Sequence, residues 1–171
     1  MSQLPISDSI RDLTPADVPF MLPLNNAHTR ETSFLDERAL VALLDMARYA
    51  RGIDRGATAF LIALDHTAGY VNENFNWFKA SRESFFYVDR VIVSSAARGR
   101  GIAKLLYQDL FNVVKRMDHD RVVCEVNIEP PNPVSEAFHA AMGFVAIGEA
   151  TIRNGAKTVR YLEKVLEKRT S

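Results

Sequence analysis

The stretch from Ser94 to Leu106, SSAARGRGIAKLL, puts two glycines and two arginines between an apolar run, FFYVDRVIV, and a segment with helical apolar spacing. A strand, a glycine loop and a helix in that order bind anions. The first backbone N–H groups of a helix have no internal partner, and the helix dipole adds partial positive charge there. Gly99 and Gly101 remove side chains that would hold phosphate oxygens off the amides, and Arg98 and Arg100 can add charge at the rim. The spacing is not that of a dinucleotide fingerprint, whose third glycine position is Lys104 here, and the P-loop pattern is absent. A plainer reading keeps the glycines as turn formers and the arginines as solvated side chains.

A second group of reactive side chains sits in the flanking strands. Asp89 is an acid inside an apolar run, so it must be paired, solvated or functional. Tyr87 lies two residues away, on the same face, while Arg90 points to the opposite face and is not the expected partner. Glu125 stands in VVCEV, a second candidate acid, with a buried ion pair as its alternative. His139 follows in a short segment that opens at Asn132-Pro133.

These residues need elements to hold them. Ile10–Leu13 reads as a short first strand, and Thr14-Pro15-Ala16-Asp17 as a helix start running to about Asn26. A helix from near Asp36 carries Leu40, Leu43, Leu44 and Ala47 at helical spacing. Residues 51–54 and 58–64 form a hairpin about Asp54-Arg55-Gly56, its second arm apolar enough for burial on both faces. Residues 66–83 read as irregular, with Tyr70, Phe75, Trp77 and Phe78 among three asparagines. Strands are predicted over 84–93, 121–127, 144–147 and 158–166, and helices over 101–117 and from Asn132 to Gly143. Alternation in the middle and hairpins at both ends predict an α/β fold with a mixed sheet and helices on both faces.

Composition narrows the partners. The chain has 171 residues, 47% hydrophobic and 25% charged, read as a single domain over 1–171. Lys+Arg and Asp+Glu both total 21, which argues against nucleic acid or an anionic membrane as partner. The single cysteine, Cys124, forms no intrachain disulfide and fits a cytoplasmic location; no signal core or bilayer-long apolar run is read. No metal is implied.

Arg98-Gly99-Arg100-Gly101-Ile102-Ala103 resembles the R/Q-x-x-G-x-G/A signature of GNAT acetyltransferases. In that family a fifth strand ending in Asn follows, then N-x-x-[AS]-x-x-Φ-Y-x-x-Φ-G-F with Φ apolar. This chain has VVCEVN and then Asn132-Pro-Val-Ser135-Glu-Ala-Phe138-His139-Ala-Ala-Met142-Gly143-Phe144. The resemblance runs from about residue 84 to 165. It implies about seven strands, a splay between the fourth and fifth, and acetyl-CoA as cofactor. The pyrophosphate would lie on the amides of Arg98, Gly99, Arg100, Gly101, Ile102, Ala103 and Lys104. The pantetheine arm would pair with backbone at Val91 and Val93, and Asn127, Asn132, Ser135 and Phe138 would contact the cofactor from the other side. For Asn132 and Ser135 a purely local helix-capping role is the alternative.

The implied reaction is acetyl transfer to an amine by direct attack in a ternary complex. Amides near Val91 and Ile92 can serve the oxyanion, and the general base is sought among Asp89, Tyr87 and Glu125. His139 stands where the family usually has a tyrosine that protonates the thiolate; a packed helix residue is the alternative. The acceptor pocket in such a fold is walled by residues 25–36 and 69–78, which offer Asn26, Glu31, Tyr70, Asn74 and Trp77. Acids with aromatics suit the ammonium of a small-molecule or amino-acid-like acceptor. The competing class is a catalytically silent acyl-CoA-binding sensor or interaction module. The C-terminal strand, TVRYLEKVL, could pair two copies as a homodimer.

Overall fold

Capping residues set where the helices begin. In the computed structural model, which describes residues 5–168, Asp17 accepts from the Thr14 amide at 2.9 Å, and α1 follows over Val18–Asn26. Asp36 accepts from the Ala39 amide at 2.7 Å and opens α2, Glu37–Met46. With them stand β1 (Arg11–Asp12), β2 (Tyr49–Ile53) and β3 (Ala59–Asp65). Then come α3 (Glu73–Ser81), β4 (Phe86–Val93), α4 (Ile102–Arg116), β5 (Arg121–Glu129), α5 (Pro133–Ala141), β6 (Val145–Ile152) and β7 (Lys157–Val165). The strands form one mixed sheet in the order β1-β2-β3-β4-β5-β7-β6. Its parallel pair is β4 with β5, registered through Phe86–Val122 and Tyr87–Val123 and connected through α4.

The chain divides into two compact units, each made of two segments. The first holds the described residues up to Leu64 together with Val88–Val113. Residues Ala59 to Leu64 of β3 are all buried, as their unbroken apolar run requires. Met21, Leu40, Leu106, Tyr107 and Leu110 complete that core at 0% exposure. Helix α4 turns its apolar stripe inward and keeps Lys104 and Gln108 exposed.

The second unit holds Asp65–Tyr87 and the described residues from Val114 onward. Its core is aromatic. Phe75 meets Phe85 and Tyr87 edge-on at 5.7 and 5.6 Å, and Trp77 stacks on Tyr161 at 4.1 Å. Gly148 lies beneath Trp77, where a Cβ would come within 2.6 Å of the indole.

Residues 66–83 are the main departure from the sequence reading, because they contain α3. Asn72 caps it by accepting from the amides of Asn74 and Phe75 at 2.9 and 3.1 Å. Phe75 and Phe78, three apart, bury the helix on one side. Strand β6 also runs to Ile152 rather than 147, its exposed residues carried by pairing with β7 down to Ile152–Lys157.

Candidate functional site

In the first unit, the chain leaves β4 at Ser94 and enters α4 through Arg98–Gly101. Gly99 and Gly101 have φ of +79° and +73°, and a Cβ built on either meets nothing within 4 Å. Backbone conformation, not crowding, therefore calls for glycine there. The first helical bond runs from the Leu105 amide to Gly101 O at 3.1 Å. The amides of Ile102, Ala103 and Lys104 thus precede the helical ladder. Arg98, Arg100 and Lys104 are exposed around them, while Ile102 is buried and anchors the helix start. Open space over a positively charged helix start fits a diphosphate.

The same unit contains a cavity of about 110 Å3 lined by His28, Glu31, Thr32, Val91, Ile92, Val93 and Arg98. It joins four residues expected at the cofactor with Glu31, expected at the acceptor. Residues 27–35, which supply one wall, are stapled in place. Asn25 Nδ2 donates to Ser33 O at 3.0 Å, and Asn26 both donates to Leu35 O and accepts from the Leu35 amide. The Asn26 amide thus holds the loop's own backbone. His28 Nδ1–H donates to Leu24 O at 2.9 Å, and Thr32 Oγ1 donates to His28 O.

Beneath the loop lies a buried charge pair that corrects the strand reading. Arg90 donates to Asp89 Oδ2 at 2.7 Å, and the two side chains are 4% and 3% exposed. Arg90 also donates to Asn25 Oδ1 at 2.7 Å and to Ser33 Oγ at 3.3 Å. Strand alternation describes where Cβ points. A guanidinium on a long stem reaches back to its neighbour's carboxylate. Asp89 is thus the buried anion of an ion pair.

The second unit gathers Tyr87, Glu125, Asn74 and Tyr161. The Tyr87 hydroxyl donates to Glu125 at 2.8 Å from Oε2 and 3.0 Å from Oε1, and Asn74 Nδ2 donates to Oε1 at 3.0 Å. Tyr161, opposite Glu125 in the β5–β7 register, donates to Asn74 Oδ1 at 3.0 Å. Burial, with the charges of Glu125 and Glu73, pushes the Tyr161 phenol up to about 12. Burial and Arg153 lower the Lys157 ammonium, against the attraction of Glu125. Trp77 packs on Tyr161, and Tyr70 meets Phe75 edge-on at 5.6 Å. The role of Tyr161 depends on a cross-strand register that local pattern does not carry.

Helix α5 places the remaining residues of this unit. Asn132 Oδ1 accepts from the Ser135 amide at 3.2 Å, the local capping alternative, and the Asn132 amide donates to the carbonyl of buried Asn127. His139 is buried and donates from Nδ1–H to Ser135 O at 2.8 Å. Phe138 and Phe144 meet its ring edge-on. Burial lowers the imidazole below its ordinary value, the bond to Ser135 opposing, so it is neutral at pH 7.

Comparison with known proteins gives this architecture its relatives. A family model described as "Acetyltransferase (GNAT) family" matches residues 22–144. No curated protein matches the sequence. The ribosomal-protein-S18-alanine N-acetyltransferase of Escherichia coli is similar at a TM-score of 0.65 and 13% identity, covering 95% of each chain. The ribosomal-protein-alanine N-acetyltransferase of Brucella melitensis is similar at 0.67 and 20%, covering 92% of this chain and 99% of its own. A chain of the NatC complex bound to Gag peptide and CoA matches at 0.68 and 17%, covering 92% and 98%. At these identities the likeness is one of fold.

Proposed function

The chain belongs to the acetyltransferase (GNAT) family of acetyl-CoA-dependent acyltransferases, and from that premise we propose that its acceptor is the primary amine of a small, amino-acid-like molecule. The observation that carries this is the first-unit cavity, where Glu31 shares one small space with Val91, Ile92, Val93 and Arg98. A carboxylate beside the expected acetyl position favours an ammonium-bearing acceptor by charge.

Acetyl-CoA supplies the activated acetyl group. In the first unit, the amides of Ile102, Ala103 and Lys104, with Arg98 and Arg100, would hold its diphosphate, and the backbone of Val91 and Val93 its arm. Ile92, whose side chain is buried, fixes the strand segment whose amides would serve the developing oxyanion.

Of the two strand acids, Glu125 is the one suited to base chemistry in this reading. Its carboxylate accepts from two neutral donors, Tyr87 and Asn74, with half-buried Lys157 acting on it by charge. Asp89 is not, because its charge is the counterion of Arg90. His139 is not assigned the acid role in this reading: its Nδ1–H is held by Ser135 O, and burial opposes protonation of the other nitrogen.

The test is thermal stabilisation by acetyl-CoA, followed by free-thiol release on a panel of amino acids, polyamines and alanine-starting peptides. Stabilisation with turnover on small amines supports the proposal. Turnover on peptides alone replaces the acceptor class, and stabilisation with no turnover replaces catalysis by an acyl-CoA-sensing role.

A further inference from the structure

Helix α3 was absent from the sequence reading, yet Asn74 on it is 7% exposed and bonded to side chains from two strands. An amide presents an acceptor at one end and donors at the other, and its neighbours decide which faces where. Tyr161 is a neutral phenol at any ordinary pH. Its hydroxyl donates to Asn74 Oδ1, which turns Nδ2–H toward Glu125 Oε1. Tyr87 donates to the same carboxylate from β4. We propose that Asn74 is a positioning residue for Glu125: it fixes the carboxylate's orientation and keeps it ionised, and Tyr161 sets which end of the amide does so.

This rests on the reading of Glu125 as base only for its catalytic consequence; the effect on Glu125 ionisation stands on the geometry alone. Among the groups facing the carboxylate are Asn74 from α3, Tyr87 from β4, and Tyr161 and Lys157 from β7, with Glu73 acting on Tyr161 from α3. Lys157 favours the anion by charge. Asn74 is a neutral member whose isosteric replacement reverses the sign of its contribution. Asn74→Asp puts a second carboxylate at the 3.0 Å contact with Glu125. Two carboxylates that close cannot both ionise readily, so the pair titrates in two steps with the upper one raised. Asn74→Ala removes the donor without adding a charge.

The measurement is 13C NMR titration of the full-length protein labelled at glutamate Cδ, the Glu125 resonance being assigned by its loss in Glu125→Gln. In Asn74→Asp the Glu125 resonance should titrate in two steps, the upper at least tenfold higher in proton affinity than the single step of the unchanged protein; in Asn74→Ala its midpoint should rise by a smaller factor, with Tyr161→Phe close to Asn74→Ala. A Glu125 midpoint unchanged in Asn74→Asp and Asn74→Ala, with circular dichroism and Tm showing an intact fold, overturns the proposal. Should Asn74→Asp fail to fold, Asn74→Ala and Tyr161→Phe decide it by the same criterion. The acid limb of kcat/KM is followed in parallel. If it moves with the NMR midpoint, both readings hold. If the midpoint moves and the limb does not, Asn74 still governs the ionisation of Glu125 and the base assignment fails.

Discussion

Replacing Gly101 with alanine separates the cost of a strained backbone from the loss of a ligand seat. At φ +73° a Cβ is disfavoured by about 1–2 kcal/mol. Nothing lies within 4 Å of the added methyl, so no packing cost is added. For a chain of this length each kcal/mol lowers Tm by about 2–4 °C, so the free variant should melt about 2–8 °C early. The control is Gly155→Ala, at φ +90° with equally open space, in the turn between β6 and β7. It carries a similar backbone cost far along the chain from the helix start. Acetyl-CoA at a hundredfold its Kd stabilises the native state by about 2.7 kcal/mol, or about 5–11 °C on the same scale. Gly155→Ala should keep that whole increment. Gly101→Ala should lose most of it, because the methyl occupies the space through which phosphate oxygens reach the amides. The assay is differential scanning fluorimetry with and without acetyl-CoA, supported by calorimetric titration. Equal losses in the two free variants with an undiminished acetyl-CoA shift in Gly101→Ala would refute the diphosphate seat.

Arg90→Met should destabilise the chain by about 3–5 kcal/mol, since Asp89 loses its buried counterion; urea unfolding reads this, and Asp89→Asn/Arg90→Met should recover part of it. A loss under 1 kcal/mol for Arg90→Met would show that the pair is not the anchor of the loop. His139 is neutral and buried, so the folded state binds its proton less readily than the unfolded chain, whose value is about 6.5. As pH falls through that value the unfolded state takes up the proton first, so stability falls with it. His139→Asn should flatten the decline between pH 7 and 5 while keeping turnover within about threefold; a loss of about a hundredfold would restore the imidazole as an acid.

The parts of the fold that could be read from the residues are those with one dominant local signal. TAFLIAL is apolar without a break, and β3 is buried without a break. Residues 102, 106, 110 and 114 repeat at helical spacing, and all four are buried in α4, with Tyr107 and Phe111 beside them. Helix α3 was missed because its apolar residues, Phe75, Trp77 and Phe78, do not follow a clean helical period; its start was legible in Asn72, a capping residue followed by Glu73 and buried Phe75. The site divides the same way. The glycines of the α4 start are a local feature and needed no tertiary knowledge. Arg90 and Tyr161 act through long arms or cross-strand partners, and neither guanidinium reach nor the β5–β7 register is written in neighbouring residues.

Two acids on strands, Asp89 first and Glu125 second, are the candidate bases that the sequence offers. What separates them is the chemistry of their partners. A base must change protonation state in every cycle, and the free energy of that change includes whatever the anion was stabilising. Protonating Asp89 leaves a guanidinium at 4% exposure without its 2.7 Å counterion, a penalty of several kcal/mol that would recur with each turnover. The same event would loosen residues 27–35, which Arg90 holds through Asn25 and Ser33. Protonating Glu125 asks less. Tyr87 and Asn74 donate to it as neutral groups, and the Tyr87 hydroxyl can rotate to accept from the new O–H instead of donating. The ion pair is therefore suited to holding a cavity wall still, and the neutral-donor carboxylate to exchanging a proton.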